Sequence, residues 1–437
     1  MRSNEPANGF VPRGPLGVVV VGMGAVSTSF IAGVHAVRKG LGRPFGSLTQ
    51  MGRLHDGEGN GTVPFAELVP LAGLDDLVFG GWDLFPDDAY VSARKARVLD
   101  RDLLEELRPE LEAIRPWKGI FDPRFVRRIE ATHFHAPRSH AASVESVERD
   151  IRRFRRSTGA SRMVMLFTAS TEAHADLGTI HDDPAAFEKA LRQDDPRISP
   201  GMIYAYAALR QGVTVINCTP NRVADFPAFE EIGASHGIPI AGRDLKTGQT
   251  LMKTILAPGL KMRALGVAGW YSTNILGNRD GAVLDDPECF LSKQESKLSV
   301  LNGILEPDLY PEMYGDLVHN VRIDYYPPRG DNKEAWDNID VFGWLGYQMQ
   351  IKINFLCRDS ILAAPLALDL ALLGDLAQRA GESGFVEWMS LFFKSPTVHE
   401  EPAVHDLFQQ YAMLETAMRD IAARFAEERM EPRRSAL

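Results

Sequence analysis

The feature that most constrains the fold is a repeated alternation of short apolar segments with longer segments of helical spacing. The first apolar segment, Leu16 to Val21, ends at Gly22 and is followed over 27–39 by helix-compatible spacing. Further strand candidates and probable helices alternate along the next 200 residues, with strands at 77–80, 163–167 and 213–216 and helices at 200–210 and 226–235. Parallel strands need such crossover helices. The pattern therefore predicts an α/β fold with a doubly wound parallel sheet.

The pattern changes after about residue 250. The next strand candidates have fewer helices between them, as in a mixed α+β layer, and lie at 263–271, 321–326 and 348–355. From Asp359 onward the chain is predicted to be helical, with a buried Leu- and Ala-rich helix over 361–380. Because 437 residues exceed a single ordinary core, we expect four parts: a flexible arm (1–15), a first α/β segment (16–250), a central α+β domain (251–358) and C-terminal helices (359–437) that return to the first domain.

Composition narrows the function classes. The net charge of −10 argues against nucleic acid and anionic membranes as partners. No uninterrupted apolar run reaches the roughly 18 residues of a membrane span, and the N-terminus lacks a signal-peptide core, so a cytoplasmic location is expected. Three scattered cysteines form neither a disulfide framework nor a CxxC metal site. The histidines at 133, 135 and 140 have no acidic or cysteine partner at ligand spacing, which favours a surface loop over a metal site.

A glycine-containing turn follows the first strand. In the segment from Gly22 to Ser27, GMGAVS, the glycines would let a pyrophosphate approach the backbone at a helix N-terminus. A tight strand-to-helix turn explains the same residues. Serine stands where the third glycine of the dinucleotide fingerprint would be, and no acidic residue ends an obvious second strand about 20 positions on. Both interpretations stay open on this pattern alone.

A second candidate is the segment DLKTGQT over 244–250. Its hydroxyls, its glycine and the backbone N–H groups of a helix predicted to begin at Leu251 would suit a phosphate group. The alternative is a capped helix, with Thr247 or Asp244 as the capping residue.

Four lysines form the third set. Lys293 and Lys297 are four positions apart, share one face of a helix and repel each other unless an anion lies nearby. Lys333 lies in a turn-like segment, RGDNK, and Lys394 follows strongly apolar residues, where desolvation lowers the pKa of a lysine. For each lysine taken singly, a solvated surface charge is the favoured interpretation.

Longer motifs resemble those of the myo-inositol-1-phosphate synthases, in family order from about residue 17 to 396. The segments are FGSLTQ (45–50), DDLVFGGWD (75–83), LFTASTE (166–172), DLKTGQT (244–250), LGNRDG (276–281), SKQESK (292–297), GDNKEA (330–335) and CRDSILAAPLALDLALL (357–373). The resemblance implies a Rossmann-like NAD-binding domain, formed by the N-terminal part and the C-terminal helices. It also implies a central domain that provides most of the active site and the contacts of a homotetramer.

The resemblance assigns roles to individual residues. Cofactor binding would fall to Gly22, Gly24, Ala25, Val26, Ser27, Thr28, Asp83, Thr168, Ala169, Asp244, Asp359 and Ser360. Substrate binding would fall to Thr247, Gly248, Gln249, Thr250, Lys297, Asn278 and Asp280. The catalytic group would comprise Lys293, Lys394, Lys333, Asp359 and Asp244.

The reaction that the resemblance implies is an NAD-dependent cyclisation of glucose 6-phosphate to an inositol phosphate. It comprises oxidation at C5, enolisation, aldol closure and reduction, with no net redox change. Two alternatives stay open: a paralogous cyclase for another sugar phosphate, such as fructose 6-phosphate, and a non-catalytic NAD-binding homologue. Members of the family differ in using a monovalent or a divalent cation, and the residues do not decide between them.

Overall fold

The computed structural model describes residues 11–55, 61–136, 138–284 and 300–434. Its strands are β1 (Leu16–Val21), β2 (Arg53–His55), β3 (Thr62–Pro64), β4 (Leu77–Asp83), β5 (Trp117–Ile120), β6 (Phe134–His135), β7 (Arg162–Phe167), β8 (Thr214–Asn217), β9 (Pro239–Gly242), β10 (Gly266–Leu276), β11 (Val318–Tyr325), β12 (Asn332–Phe342), β13 (Gln348–Arg358) and β14 (Gly384–Phe385).

The described helices of eight or more residues are α1 (Ala25–Arg38), α2 (Ala89–Ala96), α3 (His140–Thr158), α4 (Pro184–Arg192), α5 (Pro200–Arg210), α6 (Pro227–His236), α7 (Gly248–Met262), α8 (Asp359–Arg379) and α9 (Leu407–Arg434). Shorter helices span Leu48–Met51, Phe65–Leu68, Arg101–Glu106, Arg108–Glu112, Arg279–Leu284, Pro311–Tyr314 and residues 300–305.

Eight parallel strands form the main sheet, in the order β14-β9-β8-β7-β1-β4-β5-β6. One face is covered mainly by α1 and α8, and the other by α3, α5 and α6. All six residues of β1 are buried, as expected for a central parallel strand covered on both faces. The predicted α/β class with a doubly wound sheet is confirmed.

A second, mixed sheet of four strands has the order β11-β10-β12-β13. Its inner face packs on α7 and on residues 300–305, with Trp270 and Ile339 fully buried between them. The strand predictions at 263–271, 321–326 and 348–355 fall on β10, β11 and β13. Strand β12 was not predicted, and Lys333 is its second residue rather than part of a turn. The four domain boundaries themselves stay a prediction.

Helix α8 begins at Asp359 and, together with α1, covers one face of the main sheet. It is long and apolar enough to cross a membrane by length and composition, but 78% of its most apolar 18-residue window is buried inside the protein. Two buried carboxylates interrupt the apolar sequence. Asp369 accepts hydrogen bonds from Ser47 and Thr49, and Asp375 pairs with buried arginines. The packing of helix α8 on β7, β8 and α1 therefore explains its apolar surface.

Candidate active site

A cavity opens at the carboxyl edge of the main sheet, where ligands bind in open α/β folds. The last residues of β1, β4, β5 and β7 all line it. Thirteen of the residues predicted for the site line this cavity: Gly22, Gly24, Ala25, Val26, Asp83, Thr168, Ala169, Asp244, Thr247, Asn278, Asp359, Ser360 and Lys394. The fold thus gathers positions that span more than 370 residues of the chain.

The glycine turn between β1 and α1 is tightly packed against the loop after β7. Gly22 has a φ of +92°, and a Cβ there would lie 2.7 Å from the Cα atom of Ala169, so only glycine fits. Ser27 donates to the carbonyl of Gly22 at 2.8 Å, and Thr28 to that of Gly24 at 2.8 Å. These two hydroxyls therefore stabilise the turn from behind.

The N-terminus of α1 faces the same cavity through Gly24, Ala25 and Val26. Within the described part of the chain, no side chain caps this helix. Uncapped backbone N–H groups and the positive end of the helix dipole favour an anion there. The turn therefore fits the pyrophosphate of a dinucleotide.

Asp83 ends β4, the strand that pairs with β1 in parallel. Its carboxylate accepts hydrogen bonds from the backbone N–H of Met23 at 2.6 Å and of Phe85 at 2.9 Å. This is the acidic strand end that the sequence pattern lacked. The resemblance pointed to Asp83, but the fingerprint spacing did not, because the neighbouring strand in space comes about 60 residues later in the chain instead of about 20.

The loop after β9 carries Asp244, which has a φ of +61°. The Lys394 ammonium lies 3.0 Å from a carboxylate oxygen of Asp244, and both side chains are buried. The backbones are joined as well, because Lys394 N–H donates to the Asp244 carbonyl at 2.7 Å and Leu245 bridges to Phe393. The C-terminal segment is thereby fixed to the loop before α7.

Helix α7 begins at Gly248, three residues earlier than predicted. Thr247 occupies the position before the helix but makes no capping bond to it, and Asp244 is engaged by Lys394. Capping thus accounts for neither side chain among the described residues. Gly248 has a φ of +56°, and the Lys333 ammonium lies 3.7 Å from the position a Cβ would take there.

The Gln249 side chain faces the second sheet. Its amide donates to the carbonyls of Thr273 at 3.1 Å and Trp336 at 3.0 Å, and its oxygen accepts from Asn274. Gln249 and Thr250 are buried behind the cavity and are not among its lining residues. Gln249 therefore fixes the start of α7 to the sheet and leaves its backbone for a ligand.

The first turn of α8 contributes the carboxylate of Asp359 and the hydroxyl of Ser360 to the site. Lys333 lies 3.4 Å from Asp359, and Ser360 donates to Asp331 at 2.8 Å. Asn278 donates to the same Asp331 oxygen at 3.2 Å.

Three predicted residues are described partly or not at all. Lys293 and Lys297 lie outside the described residues. Of Asp280 only the backbone, in the helix Arg279–Leu284, is described.

Several further polar residues line the cavity and were not predicted, among them Glu172 and Tyr204. Glu172 accepts from the Gly201 N–H at 2.9 Å, and burial raises the pKa of its carboxyl to about 7. Tyr204 accepts from the Ile120 N–H at 2.7 Å through its hydroxyl oxygen. Glu172 is the last residue of the motif LFTASTE, so the family resemblance could have identified it. Tyr204 lies within α5, where no pattern distinguishes it from core residues.

Among the described residues, no group of three or more His, Cys, Asp or Glu side chains has the arrangement of a metal site. His133 and His140 contact the carbonyls of Pro116 and Asp195, respectively.

A doubly wound sheet with a glycine turn, an acidic strand end and lysine–carboxylate pairs at its carboxyl edge defines an NAD-dependent α/β enzyme. The family model described as myo-inositol-1-phosphate synthase, which is also named for NAD binding, matches residues 16–419. The chain therefore belongs to the myo-inositol-1-phosphate synthase family.

Individual relatives agree with this assignment. Inositol-3-phosphate synthase 1 of Bacteroides thetaiotaomicron is 51% identical over 412 residues, which cover 93% of this chain and 96% of the relative. Isozyme 1 of Arabidopsis thaliana inositol-3-phosphate synthase is 34% identical, with coverage of 94% and 85%. The crystal structure of inositol-3-phosphate synthase from Caenorhabditis elegans superimposes with a TM-score of 0.88 at 27% identity, with coverage of 94% and 86%.

Proposed function

We propose that this protein converts D-glucose 6-phosphate to 1L-myo-inositol 1-phosphate, which is the same compound as 1D-myo-inositol 3-phosphate. The cycle consists of oxidation at C5, enolisation, aldol closure and reduction, with no net redox change. Relatives named inositol-3-phosphate synthase support the assignment at up to 51% identity over nearly the full chain.

The observation that carries the proposal is that two lysine–carboxylate pairs meet beside the glycine turn. Lys394, Asp244 and Asp359 line the cavity there, and Lys333 pairs with Asp359 without lining it. Lys394 pairs with Asp244 at 3.0 Å, and Lys333 pairs with Asp359 at 3.4 Å. Both lysines are at least 95% buried, with exposed fractions of 3% and 5%. Buried ammonium groups act strongly on charge that develops next to them, because little water screens the interaction.

The residues of the glycine turn fit NAD. Bound there, NAD would accept hydride from C5 of the open-chain sugar and return it after ring closure. The backbone at Gly22 and Gly24 would lie under the pyrophosphate, and Asp83 would accept a hydrogen bond from a ribose hydroxyl. Thr168, Ala169, Asp359 and Ser360 would enclose the rest of the cofactor.

The start of α7 would hold the substrate phosphate. The backbone N–H groups after Thr247, with the dipole of a 15-residue helix behind them, favour a dianion. Lys333 lies next to Gly248 and adds a positive charge. Lys297 completes the proposed set, and Gln249 and Thr250 would contribute through their backbone N–H groups.

Lys394 would stabilise negative charge on the reacting oxygens. Oxidation at C5 makes a proton on C6 acidic, and its loss gives an enolate whose C6 attacks the C1 aldehyde. Donors fixed at such oxygens contribute about 2.7 to 4 kcal/mol each in comparable sites. Asp244 would keep the Lys394 ammonium in place, and Lys293 would act on the same oxygens. The substrate phosphate or a water would accept the C6 proton.

The test is a product assay. Pure protein is incubated with NAD and glucose 6-phosphate, the phosphorylated product is identified by NMR, and free NADH is followed by absorbance. The proposal expects an inositol phosphate without stoichiometric NADH. A different carbocycle from fructose 6-phosphate would identify a paralogous cyclase, and NAD binding without any turnover would identify a non-catalytic homologue.

A homotetramer is part of the proposal. The second sheet exposes large apolar side chains on its outer face and at the β12–β13 hairpin, including Trp344 (86% exposed), Leu345 (79%), Tyr347 (74%) and Leu356 (60%). Contiguous exposed apolar surface marks a protein interface. Light scattering coupled to gel filtration tests this, and a monomer at micromolar concentration would contradict it.

Cation activation and a cytoplasmic location complete the proposal. Assays in chelator with added potassium, ammonium, magnesium or zinc distinguish a monovalent from a divalent requirement. Cell fractionation tests the location.

A further inference from the structure

Asp331 joins two parts of the cavity without lining it. Its carboxylate lies behind Asn278 and Ser360, which both line the cavity. One oxygen accepts from the Ser360 hydroxyl at 2.8 Å and from the Asn278 amide at 3.2 Å, and the other accepts from the Ser360 N–H at 3.4 Å. Only 6% of Asp331 is exposed.

The bonds of Asp331 connect three chain segments. Asn278 precedes the helix Arg279–Leu284 and accepts from the Gly281 N–H at 3.1 Å, so both ends of its amide are fixed. Ser360 is the second residue of α8. Asp331 itself immediately precedes β12, whose Lys333 pairs with Asp359. The start of β12 thus contacts the first turn of α8 at two adjacent points.

Backbone packing holds Asp331 in this position. Gly277 N–H donates to the Gly330 carbonyl at 3.0 Å, and a Cβ on Gly277 would lie 2.2 Å from the Tyr326 carbonyl oxygen. The turn before Asn278 therefore lies directly against the turn before Asp331. Burial raises the pKa of the Asp331 carboxyl. A carboxyl this deeply buried needs hydrogen-bond donors, and Ser360 and Asn278 supply them.

We propose that Asp331 is a positioning residue that holds the cofactor side of the cavity, at Ser360, in register with the sugar side, at Asn278. The inference rests on the proposed function, because a cycle that removes and returns hydride at one carbon requires the nicotinamide and the sugar to keep one relative position. A displacement of about 1 Å in such an arrangement lowers a rate by about 100-fold.

The first measurement is NAD affinity, which does not depend on turnover. Asp331→Asn keeps the side-chain shape but removes the charge, and Asp331→Ala removes all three bonds. Titration of tryptophan fluorescence is expected to show NAD affinity about fivefold weaker in both variants, with one NAD per chain retained. Asn332→Ala, an exposed neighbour at the start of β12, is the matched control and should match the unaltered protein.

The second measurement is turnover. We expect kcat for ring closure to fall at least tenfold in Asp331→Asn, and free NADH to be released alongside product because the oxidised sugar escapes before hydride returns. In the double variant Asp331→Asn/Ser360→Ala, the loss of kcat should be smaller than the product of the two single losses. Both substitutions affect the same hydrogen bond, between the Ser360 hydroxyl and the side chain of residue 331.

The outcomes separate the two proposals. NAD affinity, NADH release and kcat all within twofold of the unaltered protein would overturn the role of Asp331. If the Asp331 variants bind less than one NAD per chain but the chains that still bind it do so with normal affinity, the positioning role is also overturned, in favour of a purely structural one. If the unaltered protein forms no inositol phosphate, the proposed function fails, while the titration still decides whether Asp331 positions the cofactor side.

Discussion

The ammonium group of Lys394 lies 3.0 Å from the carboxylate of Asp244, although 150 positions separate the two residues in the chain. The pairing is possible because the segment after α8 runs antiparallel to the loop after β9 and is hydrogen-bonded to it. Backbone pairing thus places a charge that the proposed chemistry needs at a buried position beside the cavity.

Replacing this lysine should remove catalysis while leaving the dinucleotide turn intact. We expect Lys394→Ala to lower kcat at least 100-fold, since one fixed donor to a developing oxyanion contributes about 2.7 to 4 kcal/mol. NAD affinity should change less than threefold. Product NMR and a fluorescence titration measure the two quantities, with the exposed Lys189→Ala as control. Loss of NAD binding in Lys394→Ala would contradict the assigned role.

Gln249 should matter through its contacts with the second sheet. Gln249→Leu removes three hydrogen bonds and leaves buried partners unsatisfied, so we expect unfolding free energy to fall by about 3 kcal/mol. The KM for glucose 6-phosphate should rise at least tenfold because the start of α7 loosens. Urea titration and initial rates provide the measurements. Gln350→Leu, which loses one exposed bond, serves as control; equal effects of the two changes would refute this explanation.

The glycine turn offers a steric prediction. Gly22→Ala places a methyl group 2.7 Å from the Ala169 Cα atom at a φ of +92°, so NAD binding should be lost and the melting temperature lowered. Gly33→Ala lies in α1 with open space around it and should raise stability by about 0.5 to 1 kcal/mol. Calorimetry with and without NAD tests both. Normal NAD affinity in Gly22→Ala would show that the turn accommodates a methyl group and would contradict the steric argument.

Glu172 should make stability depend on pH. Its pKa is raised by burial to about 7 from an ordinary value near 4.5, so the folded protein binds its proton more tightly than the unfolded chain does. The resulting stabilisation is complete below about pH 4.5 and is lost as pH rises through about 7. Glu172→Gln should therefore gain stability relative to the unaltered protein between these pH values, by on the order of 3 kcal/mol. Urea unfolding at pH 4.5 and 7.5 measures this difference.

The control for this pH effect is Glu67→Gln, at an exposed carboxyl. The change in stability between the two pH values is measured in this variant as well. A difference in Glu172→Gln no larger than in this control would show that Glu172 does not titrate in this range.

Local pattern was sufficient to predict the four central strands of the main sheet, β8, β7, β1 and β4. The predicted helix 200–210 has the observed bounds of α5, and each strand prediction fell on an observed strand. Strand β12 escaped because Lys333 and Asp337 face inward, where an alternating pattern would place apolar residues. The start of α7 was placed too late because a glycine with positive φ opens the helix.

Long-range relationships explain what the residues alone could not reveal in the site. The family resemblance named Asp83, but spacing alone could not, because β4 lies beside β1 in space and about 60 residues away in the chain. Tyr204 contacts Ile120 across 84 positions, and no local pattern encodes such a contact. The lysines were weak signals individually, and the resemblance to a known family is what grouped them before any geometry was available.

The edge strand β14 comes from Gly384–Phe385 and pairs with β9 in the main sheet. During synthesis on the ribosome, therefore, the main sheet stays incomplete until β14 has emerged, while the intervening α+β layer can already compact. A prematurely terminated chain would carry the glycine turn yet lack both the closing helix and Lys394. Such truncated chains would be incompletely folded and inactive, and proteases and chaperones would act on them.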